Sequence, residues 1–153
     1  MDTVSIERTF DAALCYEILT NPEIWCTISE DNADPLLNVP SVWNEWWLKL
    51  EADGNVIGIV RLHARLAKLI QGHIHILPEY RRDYSHLAGQ KILDWISDNF
   101  SKDTTILTEV PEIYPNVIAF LKDFQFQEQG IIPSCYSKDQ KLHSLVILTK
   151  RGL

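Results

Sequence analysis

No basic run longer than Arg81-Arg82 occurs in this sequence, and its formal net charge is -7. Proteins that grip nucleic acid by neutralising many phosphates need the opposite balance, so no nucleic-acid partner is expected. No apolar stretch approaches the roughly 20 residues that span a bilayer. Asp2 and Glu7 stand where a secretory leader would carry a basic and then an apolar run. The expectation is a cytoplasmic protein with no membrane partner. Cys15, Cys26 and Cys135 are odd in number, far apart and without a CxxC pair, which argues against a disulfide framework and against a zinc site. Buried thiols in a reducing compartment are expected instead. Neither an internal repeat nor a linker interrupts the 153 residues, so a single domain over 1–153 is expected.

What is present is a regular alternation of strand and helix patterns. Val4 to Phe10 alternates apolar and polar residues, as a strand does. Asp11 can cap a helix in which Ala12, Leu14, Cys15, Ile18 and Leu19 fall at helical spacing. Asn21-Pro22 interrupts it and supplies the cap and first position of a short second helix. Ser29 to Pro40 mixes Asp, Asn and two prolines, and reads as a loop. Glu45 to Glu51, the turn Asp53-Gly54, and Val56 to His63 read as a hairpin. Trp46 and Trp47 are neighbours on its first arm and point opposite ways, so either both faces are packed there or one ring is available to a ligand or partner.

Leu69 to Leu77 reads as a fourth strand with Ile70, Gly72, Ile74 and Ile76 on one face and Gln71, His73 and His75 on the other. Pro78 ends it, the polar segment Glu79 to Ser85 follows, and a helix is expected from His86 to Phe100. Thr104 to Val110 reads as a fifth strand. Pro115 opens a helix with Val117, Phe120, Leu121 and Phe124 along one stripe, and a hairpin from Phe126 to Lys150 closes the chain.

That order resembles the GNAT acyltransferases over nearly the whole chain. Ile76-Leu77-Pro78-Glu79-Tyr80-Arg81 resembles the end of the family's fourth strand, and Asn116 to Phe126 its later helix. With Asn21-Pro22-Glu23-Ile24-Trp25, Tyr114-Pro115-Asn116-Val117 and Ala88-Gly89-Gln90-Lys91, the pattern is similar to a divergent GNAT-like group of tailed bacteriophages, some of them labelled as head-assembly proteins. The resemblance implies an α/β (α+β) fold: a mixed sheet of about seven strands flanked by about four helices, with the fourth and fifth strands splayed. It implies acetyl-CoA as cosubstrate and a small-molecule or protein amine as acceptor. Ile76 and Leu77 would offer backbone to pantetheine, Arg81, Arg82, Asp83, Tyr84, Ser85 and His86 would surround the phosphates at a helix N-terminus, and Asn116 would face the pantetheine arm. The alternative is a catalytically silent phage protein acting in virion assembly or host interaction, in the host cytoplasm.

The sequence departs from the family in two places. Tyr84 and His86 stand where small residues let backbone approach phosphate. The later helix lacks the usual Tyr acid, and Gln125 replaces the usual Gly. Acetyl transfer needs a base to take the amine's proton, and His73, His75 or Glu109 can serve. The competing account is that the histidines fill the polar face of a strand and that Glu109 is an exposed strand carboxylate. Tyr136 and Cys135 reach the site as acids only if the closing hairpin folds over it. No further Cys, His or Asp at a short spacing points to a metal.

Overall fold

The computed structural model describes residues 3–152. β1 (Val4–Arg8), β2 (Trp46–Ala52), β3 (Asn55–Leu66), β4 (Leu69–Ile76), β5 (Thr105–Pro111), β6 (Gln127–Lys138) and β7 (Lys141–Arg151) form one sheet in the order β1-β2-β3-β4-β5-β7-β6. Helices α1 (Ala12–Leu19) and α2 (Pro22–Ile28) cover one face, and α3 (Pro78–Asn99) and α4 (Pro115–Asp123) the other. No helix among the described residues is long and apolar enough to cross a membrane.

The expected caps form. Asp11 Oδ1 accepts the Leu14 N–H at 3.0 Å and Asn21 Oδ1 accepts the Glu23 N–H at 3.0 Å, so the helix pair breaks at Asn21-Pro22. Asp53 and Gly54 both take positive φ, the geometry of the two-residue hairpin turn that Asp-Gly favours. The two tryptophans settle on opposite faces. Trp47 is buried with Cys15, Ile18, Ile24 and Ile59 under α1 and α2, while Trp46 packs edge-on against Phe100 on the α3 face. Trp43 lies outside both cores, exposed and stacked on Phe10. Of the three thiols only Cys15 is buried; Cys26 and Cys135 are exposed, which corrects the expectation of buried cysteines.

The largest difference from the sequence reading is α3. It begins at Pro78 and not at His86, so the segment expected as a polar loop forms its first two turns. Proline at the first helical position brings the right φ and gives up an N–H that has no partner there in any case, and Glu79 complements the positive end of the helix. Nothing between Tyr80 and His86 is a glycine or proline, so no residue stops the helix. Tyr84 O–H donates to Asp53 Oδ2 at 2.5 Å and fastens these turns to the β2–β3 hairpin.

α4 ends in a Schellman arrangement: Phe126 N–H donates to Leu121 O at 3.1 Å and Gln125 N–H to Lys122 O at 2.9 Å. Gln125 takes φ of 68° there, a left-handed conformation that glycine adopts most readily.

Candidate active site

β4 and β5 are parallel and pair only at Leu69, Ile70 and Gln71 with Thr105, Ile106 and Leu107. Beyond these residues each strand keeps its outer neighbour, β4 with β3 and β5 with β7, so the two diverge. Thr105 N–H donates to Lys68 O on the β5 side of β4, and Leu77 N–H donates to Ile57 O on the β3 side, both at 2.9 Å. Backbone groups alternate in direction along a strand, so Gly72, Ile74 and Ile76 turn theirs into the gap.

One cavity of about 800 Å³ is lined from both sides of the sheet and passes through this gap. On the α3 and α4 side its walls include Arg81, Ser85, Asn116 and Phe120; on the other they include Ile24, Ile28, His73, His75, Glu109 and Tyr136. Of the five candidate acid–base residues, His73, His75, Glu109 and Tyr136 therefore share one space, while Cys135 is exposed and does not line it. Of the expected cofactor-binding residues, Ile76, Arg81, Ser85 and Asn116 line it. Leu77, Arg82, Asp83, Tyr84 and His86 do not. Leu77 has spent its N–H on β3, and the other four ride on a helix whose turn-to-turn geometry points them elsewhere. His86 packs between Phe120 and Phe124 with its ring centroid 5.5 Å from each. Arg81 turns back along the helix, and its Nε donates to Ile76 O at 2.8 Å, occupying the carbonyl expected to receive pantetheine.

The imidazoles form a stacked ladder on the α2 face. His63 and His73 rings stack with centroids 5.6 Å apart and Nε2 atoms 3.4 Å apart, and His73 stacks on His75 at 6.5 Å. Burial pushes His73 down to about 4 and His75 down to about 3, with Arg61 adding to both effects. Each is a neutral base at working pH. Arg61 is held bidentately by Glu45 at 2.7 and 2.8 Å, which keeps the Glu45 carboxyl below its usual range. Glu109 is half-buried rather than exposed, and its Oε2 accepts from Gln71 Nε2 at 3.3 Å.

Tyr136 arrives by a bulge. Between Ile132 and Tyr136 the register of β6 slips around Pro133 and Ser134, whose φ is 48°, and a run of exposed residues gives way to a buried phenol. Tyr136 O–H donates to Ser29 O at 3.1 Å, and Lys138 Nζ to the same carbonyl at 2.9 Å. The Asp31 carboxylate accepts the N–H groups of Asp139 at 3.0 Å and Gln140 at 2.9 Å, so the hairpin tip is latched to the segment after α2 and roofs the cavity. These hydrogen bonds, the Gln140 amide first, hold Asp31 below the usual carboxylate range.

Two site residues were not identified from sequence. His63 extends the ladder toward solvent, and its place opposite Gln71 on β3 follows from the hairpin register. Tyr114 lines the cavity at the start of α4 and meets Tyr136; burial raises both phenols, so both stay protonated at neutral pH. Its adjacency to Pro115 and Asn116 was the available signal.

The residues present suit a pantetheine arm better than they suit a pyrophosphate. Ile74 keeps its backbone turned into the gap for amide pairing, and Asn116 stands at the mouth. A glycine-lined phosphate loop is absent among the described residues, because α3 runs through its place.

No known family profile and no curated protein matches the sequence. The structure, by contrast, superposes on spermidine N-acetyltransferase from Vibrio cholerae, solved with CoA and spermine, with a TM-score of 0.79 at 16% identity over 98% of this chain and 96% of that one. The ribosomal-protein-S18-alanine N-acetyltransferase from Escherichia coli matches with a TM-score of 0.75 at 17% identity, over 99% of this chain and 94% of that one. The fold is that of the GNAT N-acetyltransferases, with the seven-stranded mixed sheet and its parallel β4–β5 pair.

Proposed function

We propose that this protein is an acetyl-CoA-dependent N-acyltransferase that moves an acetyl group to a small-molecule amine by direct attack. The observation that carries the reading is the cavity that crosses the sheet at the β4–β5 gap, with Arg81 and Asn116 at one end and His73, His75 and Glu109 at the other. A thioester threaded through the gap meets an amine lodged under α2. The amine sheds one proton before it attacks and a second as its nitrogen bonds to the thioester carbon, both to the face that carries Glu109, His73 and His75, and Tyr114 returns a proton to sulfur as the C–S bond breaks. The fold's match to an enzyme solved with CoA and spermine supports both halves of the reading.

A second reading is a GNAT-fold phage protein that works through its surface in virion assembly or host interaction. Two observations favour it. α3 begins at Pro78 and leaves no glycine loop for a pyrophosphate. The segment after α2 exposes Leu36, Leu37, Val39 and Trp43, with Leu37 82% and Trp43 76% exposed. Thermal melting separates the two readings. Acetyl-CoA at about 100 times its Kd should stabilise by about 2.7 kcal/mol. No shift at millimolar acetyl-CoA would favour the surface protein.

A further inference from the structure

We infer that the α2 side of the cavity takes a primary amine with a single positive charge on an apolar body, held by Glu109, and discriminates against polyamines; as a substrate assignment this rests on the transferase reading. Glu109 is the one carboxylate that lines the cavity among the described residues, and Arg81, the one guanidinium, belongs to the opposite end. Glu109 shares its face of the sheet with Gln71, His73 and His75. Gln71 holds one of its oxygens, while Gln71's own carbonyl is taken up by Arg65 Nη1 at 2.7 Å. No ion pair to Glu109 occurs among the described residues, so its charge is available to a cation entering the cavity.

The surrounding wall makes a second charge costly. Ile24, Ile28, Ile113, Tyr114, Tyr136 and Leu145 line this end. A further ammonium pressed among them would lose its hydration with no counter-charge to replace it. The acids nearest the roof, Glu30, Asp31 and Glu112, do not line the cavity and turn their oxygens to backbone, Glu30 accepting the Ser137 N–H, Asp31 the Asp139 and Gln140 N–H groups, and Glu112 the Ser144 N–H. On the same face, beside His73, Glu45 is paired with Arg61. The cavity also has to hold the thioester arm within its 800 Å³, so the acceptor is short. One charge and one compact apolar group match this wall.

Phenethylamine and spermidine are the probes. Calorimetry and melting would follow binding of each amine to the full chain and to Glu109→Gln, and mass spectrometry would follow acetylated product with acetyl-CoA present. Phenethylamine is expected to bind and to be acetylated with kcat/KM about ten-fold or more above spermidine, and Glu109→Gln to lose about ten-fold or more of the phenethylamine affinity. The acetyl-CoA melting shift of Glu109→Gln should match the wild type, which separates loss of the amine site from loss of the fold. Equal or better use of spermidine, or unchanged phenethylamine affinity in Glu109→Gln, overturns the inference while leaving the transferase standing. Absence of any acetyl-CoA shift overturns the transferase itself, and phenethylamine binding then decides whether the cavity recognises this amine at all.

Discussion

His73 and His75 rest as neutral imidazoles at pH 7, and that has a thermodynamic consequence. Their folded values of about 4 and about 3 lie below the ordinary 6.5, so between 6.5 and those values the unfolded chain binds protons that the folded chain refuses. Stability therefore falls as pH drops through that window, by about 2 kcal/mol for each imidazole between pH 7 and pH 4.5, and levels off below the folded values. Urea denaturation at pH 7 and pH 4.5 checks this. His73→Asn and His75→Asn should each lose less stability on acidification than the wild type; an unchanged loss would place both rings in water.

At the same scale, the alternation of β4 was enough to put Gln71, His73 and His75 on one face, because a strand leaves a side chain no other choice. Which of them meet a partner was not legible. The His63–His73 contact depends on the β3–β4 register, and Glu109 joins the face only through the short parallel pairing with β5. Tyr136 is a stronger case. Its burial comes from a bulge at Pro133 and Ser134 whose extra residues shift the strand's alternation, and a period-two reading cannot anticipate that shift.

Among the elements, α3 and α4 show two outcomes of building a turn or loop position without glycine. In α3, Tyr84 and His86 stand where the resemblance implied an open loop, and the helix runs from Pro78 through them. The resemblance to a family loop pointed the wrong way here, while the local sequence Pro78-Glu79 already carried a helix-start signal. One result is that Arg81 and Arg82 part company, the first lining the cavity and the second facing solvent. Arg81→Ala should weaken acetyl-CoA binding several-fold in calorimetry and Arg82→Ala should not; equal effects would mean that the phosphates lie outside the mouth proposed for them. In α4, Gln125 stays in the left-handed conformation without glycine because the Schellman bonds and the burial of Phe126 and Leu121 hold it there. Gln125→Gly should raise stability by about 0.5–1 kcal/mol, the strain relieved less the added freedom of the unfolded chain. A lower urea midpoint would show that the Gln125 side chain contributes more than its strain costs.

For the whole molecule, the seven strands and four helices were legible because periodicity, caps and the Asp53-Gly54 turn agree along the chain. The splay of β4 and β5 has a simple origin. Each strand has a strong outer partner, and they share only three residue pairs, so the sheet opens where the shared ladder stops. The hairpin latched at Asp31 then closes one side and α3 with α4 the other, leaving a passage between two hydrophobic cores. Everything proposed for this protein depends on that passage admitting a thioester arm.

The most direct measurement is a titration of the isotope-labelled protein with acetyl-CoA, followed through its backbone amide resonances. The account predicts that the Ile74 and Ile76 amides, which face the gap, shift first and saturate together with Asn116 at the mouth. Saturating acetyl-CoA that leaves Ile74 and Ile76 unmoved would contradict it, wherever else on the surface the ligand was found to bind.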